Sequence, residues 1–164
     1  MMELPKQQTE EKMLNKTAMF LIASVTMGMA SVAQAEIDKS CVLPTEEQVA
    51  ELFERWNTSL ATGEPAQVAA NYQHNAVLLP TVSNEMRTDT ASIEAYFVDF
   101  LAKKPVGEIN NRVIRTSCNQ ASDVGIYTFS FDDGHQVQAR YSYIYDYEDG
   151  KWLIRHHHSS AMPE

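Results

Sequence analysis

Three consecutive histidines, His156-His157-His158, stand in a segment whose alternating pattern reads as a strand and not as a tag. Alternation sends His156 and His158 to one face and His157 to the other. Two imidazoles on one face supply two of the three or four ligands that zinc takes, and no nearby Cys, Asp or Glu completes the set, so no metal is assigned. His156 and His158 are better read as a polar pocket wall or a satisfied interface, with rings that titrate near neutral pH. Arg140, in mid-strand between Ala139 and Tyr141, and Arg87, ahead of a helix, each offer a planar guanidinium that can grip a carboxylate through two parallel hydrogen bonds. The competing role for each is a solvated face or an ion pair with a carboxylate such as Asp99 or Glu94. Four tyrosines, Tyr141, Tyr143, Tyr145 and Tyr147, alternate and make one aromatic strand face. Such a face lines a pocket or forms a sheet-to-sheet dimer surface, and the second use is favoured here. The expected ligand-binding set is Tyr72, Arg87, Tyr96, Arg140, Tyr143, His156 and His158. The groups available as a general base are Asp99, Glu94, His74, His156 and His158, none of them in a motif that names a reaction.

The elements that must position these residues follow from periodicity and punctuation. Thr45-Glu46-Glu47-Gln48 has the form of a capping box, and Val49, Leu52, Phe53, Trp56 and Leu60 follow at helical spacing up to Gly63. Pro65 suits the first turn of a second helix running through Val68, Ala69 and Tyr72. Residues 76–79 read as a short strand. After a polar loop over residues 81–86, Thr88 or Asp89 caps a third helix carrying Ile93, Tyr96, Phe97, Phe100 and Leu101. The period then changes to two over residues 109–117, 124–131, 136–145 and 151–160, with turns at Asp132-Asp133-Gly134 and Glu148-Asp149-Gly150. Helices first and strands last predict an α+β fold: three N-terminal helices over the concave face of a curved antiparallel sheet, with a cone-shaped hollow between them.

The chain has 164 residues, 44% of them hydrophobic, enough for one sizeable core and not for two. A formal net charge of -9 and scattered Lys and Arg exclude a nucleic-acid role, since a phosphate backbone would be repelled. Residues 18–32 are apolar or small, follow Lys16 and lead to Ala33-Gln34-Ala35, the order of a signal peptide. The stretch is too short and too diluted by Ser, Thr and Gly for a membrane anchor. The expectation is a signal peptide over residues 1–35, with Met13 as an alternative start of translation, and a single domain over 36–164 that is periplasmic or secreted and free of the membrane after cleavage. An oxidising compartment leaves Cys41 and Cys118 two options, a bridge or two separately buried thiols. No cofactor is implied.

Several stretches together carry a family resemblance: Trp56 to Gly63, Leu79-Pro80-Thr81, Tyr96-Phe97, and Asp149-Gly150-Lys151-Trp152 followed by Ile154, His156, His158 and Ser160. Over residues 45–162 the chain resembles the association domain of calcium/calmodulin-dependent protein kinase II, within the nuclear transport factor 2-like superfamily of SnoaL-like and cystatin-like folds. The resemblance implies a cone with a deep pocket, and subunits that pair through their sheets as homodimers or larger rings. It also implies arginines in the pocket, but the corresponding positions hold Thr128, Tyr143 and Ser159, so the family's ligand is not carried over. Enzymes of the superfamily, such as ketosteroid isomerase, scytalone dehydratase and polyketide cyclases, place a carboxylate or histidine base in the cone with tyrosine donors. Two functions are therefore expected as alternatives: a non-catalytic self-associating domain with a pocket for a small anion such as a carboxylate, or a cofactor-free lyase, isomerase or cyclase.

Overall fold

The computed structural model describes residues 40–163. The expected signal peptide and its cleavage point lie outside the described residues.

Helix α1 (Glu46–Leu60) starts on its capping box, with Thr45 Oγ1 accepting from the Gln48 amide at 3.2 Å and Gln48 Oε1 from the Thr45 amide at 2.9 Å. Its apolar stripe is buried throughout. Gly63, at φ 70, turns the chain toward α2 (Pro65–Ala69). This helix ends before Tyr72, earlier than its apolar spacing predicts, because Asn71 stops it. The Asn71 amide donates to the carbonyls of Gln67 (3.1 Å) and Val68 (3.2 Å), and its own backbone carbonyl accepts from the Ile154 amide at 2.8 Å. Tyr72 thereby opens strand β1 (Tyr72–Leu79). Helix α3 (Thr90–Leu101) is capped by Asp89, which accepts from the Ser92 amide at 2.8 Å.

Four long strands complete the chain: β2 (Val106–Ser117), β3 (Gln120–Ser130), β4 (Gln136–Glu148) and β5 (Lys151–Ala161). The five-stranded sheet has the order β1-β5-β4-β3-β2. Its β2-to-β5 meander is antiparallel as expected, but β1 runs parallel to β5, so the sheet is mixed. A parallel neighbour requires a long connection, and α3 with three strands provides it. The β4–β5 turn places Asp149 and Gly150 at φ 49 and 80, the left-handed pair that a two-residue hairpin needs. Cys41 and Cys118 are bridged, with Cα atoms 5.0 Å apart. Beside the bridge, Val42 and Asn119 exchange hydrogen bonds of 2.8 and 2.9 Å, pinning the segment before α1 to the β2–β3 turn.

The helices pack on the concave face of the sheet. Tyr141 and Tyr143 are buried there against Phe53 and Trp56, and Tyr145 stacks on Tyr143 beside them, so these three belong to the core and not to a surface between copies, while Tyr147 is half-buried against Trp152. The aromatic stripe of α1 has already covered that face. Among the described residues no helix is long and apolar enough to cross a membrane.

Candidate functional site

Under α3 and the first turn of the loop after β1, the cone keeps a cavity of about 50 Å³. Its walls are mostly apolar, from Trp56, Leu78, Phe97, Phe100, Phe129, Phe131 and Val137, with Tyr96 among them. The polar residues that reach it are Thr81, Tyr127, His157 and Ser159.

The hydroxyls form one chain. Tyr127 donates to Ser159 Oγ at 2.6 Å, and Ser159 in turn bonds Thr81 Oγ1. Burial raises the Tyr127 hydroxyl well above its usual range, so it stays a donor at physiological pH. His157 is 3% exposed and sandwiched: Tyr143 stacks on its ring at 4.1 Å between centroids, and Trp56 meets it edge-on at 5.5 Å. Its Nδ1 lies 2.8 Å from the Tyr72 hydroxyl, which accepts from Trp56 Nε1 at 3.0 Å. His157 Nε2 is buried without a hydrogen-bond partner among the described residues. Burial pushes the imidazole down to about 3, helped by His156 and His158, so the ring is neutral at physiological pH.

A single irregularity decides which histidine faces the cavity. Tyr145 pairs with Ile154 but Ile144 pairs with His156, which leaves Arg155 as the extra residue of a bulge in β5. Counting from buried Ile154, strict alternation would turn His156 and His158 inward. The bulge shifts the count by one, and His157 and Ser159 point in instead. Alternation separates the histidine faces, but it is His157, not the expected His156 and His158, that lines this cavity. His156 lies on the outer face beside Val77 and Ile144, and His158 lies beside Arg140, Ser142 and Ser160.

The other expected ligand residues divide by position. Tyr96 lines the cavity, and burial raises its hydroxyl to about 12, against the pull of Arg87. Tyr72 and Tyr143 sit one contact behind it through His157. Arg87 stands outside, in a polar recess with Asp99 and Lys103 that shares Val82, Tyr96 and Phe100 with the cavity. There it is tied to Glu85 at 2.6 Å and Ser83 at 3.2 Å. Arg140 is on the outer sheet face, its guanidinium donating to the Ala161 carbonyl at 3.2 Å. The expected arginine grip on a carboxylate inside the cone is therefore not formed by Arg140, because a bulge-free β4 sends it away from the core.

Thr81, Tyr127, His157 and Ser159 are not in the set expected from the sequence. Only the Leu79-Pro80-Thr81 and His-rich stretches marked their neighbourhood. A second group also went unseen: Asp123, fully buried, accepts from the Tyr141 hydroxyl at 2.8 Å and pairs with Arg112 at 3.0 Å. Burial raises the Asp123 carboxyl, while the Tyr141 bond and Arg112 pull it back. Among the described residues no cluster of three or more His, Cys, Asp or Glu is arranged to hold a metal ion.

A family model for the calcium/calmodulin dependent protein kinase II association domain matches residues 45–163. Among solved structures, a candidate association domain of that kind from Xanthomonas campestris is 52% identical, with a TM-score of 0.71, covering 74% of this chain and 90% of its own. The iota-carbonic anhydrase from a cyanobacterium, complexed with bicarbonate, is 22% identical, with a TM-score of 0.65 and coverage of 74% and 94%. A nuclear transport factor 2-like protein of unknown function from Pseudomonas putida is 17% identical, with a TM-score of 0.65 and coverage of 73% and 87%. The last two establish the fold alone. A comparison with curated proteins found no match. The model match over nearly the whole described domain and the 52% identity agree with the cone, the element order and the C-terminal His-x-His-x-Ser strand: the chain belongs to the calcium/calmodulin-dependent protein kinase II association domain family.

Proposed function

We propose that the cavity binds carbon dioxide and bicarbonate and that the chain interconverts them, as a cofactor-free lyase. The observation that carries this reading is the convergence of Thr81, Tyr127, Ser159 and His157, all uncharged, on a cavity of about 50 Å³. That volume admits a molecule of a few heavy atoms, well below the roughly 300 Å³ at which pockets for larger organic ligands begin. The apolar walls suit carbon dioxide. The polar groups suit what it becomes, because Tyr127 spends its proton on Ser159 and the Ser159–Thr81 pair retains one free hydroxyl proton. That proton, and the His157 Nε2 left without a partner wherever it carries the ring's hydrogen, can both face a developing oxyanion. In the hydration step the water oxygen bonds to carbon, a C=O electron pair moves onto oxygen, and the proton lost by water leaves to solvent through the mouth beside Val82. Neutral donors held in a dry site stabilise such charge strongly, each worth on the order of 10²–10³ in rate. The bicarbonate-bound neighbour of the same fold supports the choice of ligand.

Stopped-flow hydration of carbon dioxide by the purified domain is the test. Saturable activity that falls at least tenfold in Ser159→Ala and Thr81→Val supports the reading; a rate equal to buffer alone overturns catalysis. A second reading is favoured by the family match: a self-associating domain in which the same cavity holds a small anion without turnover. Titration with ¹³C-bicarbonate separates them, since binding without hydration selects the second and no binding sinks both.

The family match also supports self-association, which we assign to the outer sheet face where Val113 and Val124 are 48% and 38% exposed and pair across β2 and β3. Export, with removal of residues 1–35, is supported by the Cys41–Cys118 bridge, which an oxidising compartment sustains.

A further inference from the structure

We infer that Tyr72, itself held by Trp56, is a positioning residue that fixes His157 as its Nε2–H tautomer, so that the imidazole serves the cavity as a hydrogen-bond donor and not as a proton acceptor. This inference rests on the reading of the cavity as the functional site.

The argument is one of proton accounting along a buried chain. An indole nitrogen can only donate, so the 3.0 Å contact obliges the Tyr72 oxygen to accept from Trp56. The Tyr72 hydroxyl still has one proton to place. Its other partner is His157 Nδ1 at 2.8 Å, and a hydroxyl buried at 5% exposure does not leave that proton unbonded without cost. Nδ1 must therefore accept, and in a neutral ring the proton then resides on Nε2. The alternative tautomer would set two donors, Trp56 Nε1–H and His157 Nδ1–H, on the Tyr72 oxygen and strand the phenolic proton. Around the ring, Tyr143 stacks at 4.1 Å and Trp56 meets it edge-on at 5.5 Å, and with the Tyr72 bond these contacts hold it in place at 3% exposure. The titratable side chains that touch it, Tyr72 and Tyr143, are both raised well above their usual range by burial and so remain neutral.

The consequence is a rule for what the site accepts. A fixed N–H beside a hydroxyl chain that retains one free proton recognises a ligand rich in acceptors: a planar oxyanion of the carbonate or small carboxylate type. It disfavours a ligand that must donate at the same point. It also means that no side chain in the cavity serves as a strong base, so the proton released on hydration has to go to solvent.

The test is ¹⁵N NMR of the folded protein labelled at histidine, at neutral pH, with the His157 signals assigned by their loss in His157→Gln. The expected result is a protonated Nε2 and an unprotonated, acceptor-type Nδ1. A protonated Nδ1 with a bare Nε2, or an imidazolium, overturns the inference. In Tyr72→Phe the tautomers should mix, and ¹³C-bicarbonate affinity should drop about tenfold, the loss of one hydrogen bond to a charged group. Trp56→Phe keeps Tyr72 but removes its obligation to accept, and should mix the tautomers as well should the first variant prove too unstable. An unchanged Nε2–H signature in both variants also overturns the inference. Because the NMR signature reads the ring directly, it stands or falls separately from whether carbon dioxide is hydrated.

Discussion

Burial drives the His157 ring down to about 3, and this links the residue to stability as well as to the site. Stability tied to the ring is fully present above pH 6.5, where folded and unfolded chains both hold it neutral. As pH falls from 6.5 toward 3 the unfolded chain takes up a proton that the native state refuses, and about 1.4 kcal/mol is lost per pH unit. Urea midpoints at pH 7 and pH 4.5 should therefore differ more in the wild type than in His157→Gln. Equal differences would place the burden on other groups. Asp123 makes a separate prediction. Removing it by Asp123→Ala leaves Arg112 under α1, over the Phe53 ring at 5.6 Å, without its countercharge. The expected loss is about 3 kcal/mol in urea denaturation, and the double variant with Arg112→Met should recover part of it.

Local elements obey local signals. The capping box at Thr45, the Asp-Gly turn at residues 149–150 and the apolar stripe of α1 all act within a few residues, and all stand where the sequence puts them. Thr45→Ala should cost about 1 kcal/mol, read as a shift in the denaturant midpoint without change of slope. The bridge between Cys41 and Cys118 closes a separation of 77 residues. By loop entropy the double change to Ser should cost about 4 kcal/mol, and treatment of the wild type with a reductant should lower its melting point comparably. A melting point indifferent to reductant would mean that the bridge does not form in solution. The end of α2 was not legible from spacing, because Asn71 stops it through bonds to Gln67, Val68 and a strand more than 80 residues away.

Across the molecule, the cone leaves one sheet face filled by helices and the other free among the described residues. The tyrosine stripe, expected at a surface between copies, belongs to the filled face because Phe53 and Trp56 meet Tyr141 and Tyr143 there. The free face carries Val113 and Val124 with His156 and His158, and self-association is assigned to it. Light scattering at micromolar concentration should report a dimer or larger ring, and Val124→Asp should shift it toward monomer. A wild-type monomer would sink that assignment.

The sequence by itself determined the helix stripes, their caps, the hairpin turns, the α+β order and the family resemblance, because each depends on contacts between near neighbours or on pattern. Only the tertiary structure decided which histidine enters the cone, since one extra residue at Arg155 reverses the faces of everything after it. It alone decided the parallel pairing of β1 with β5, and it alone brought Thr81, Tyr127 and Ser159 into one hydroxyl chain. Those three residues lie on separate elements, and no local period links them. The arginines followed the same rule: their charge was visible in the chain, but the regular alternation of β4 put Arg140 outside, the bridge to Leu78 put Arg87 at the rim, and the bulge after Ile109 in β2 put Arg112 beneath α1.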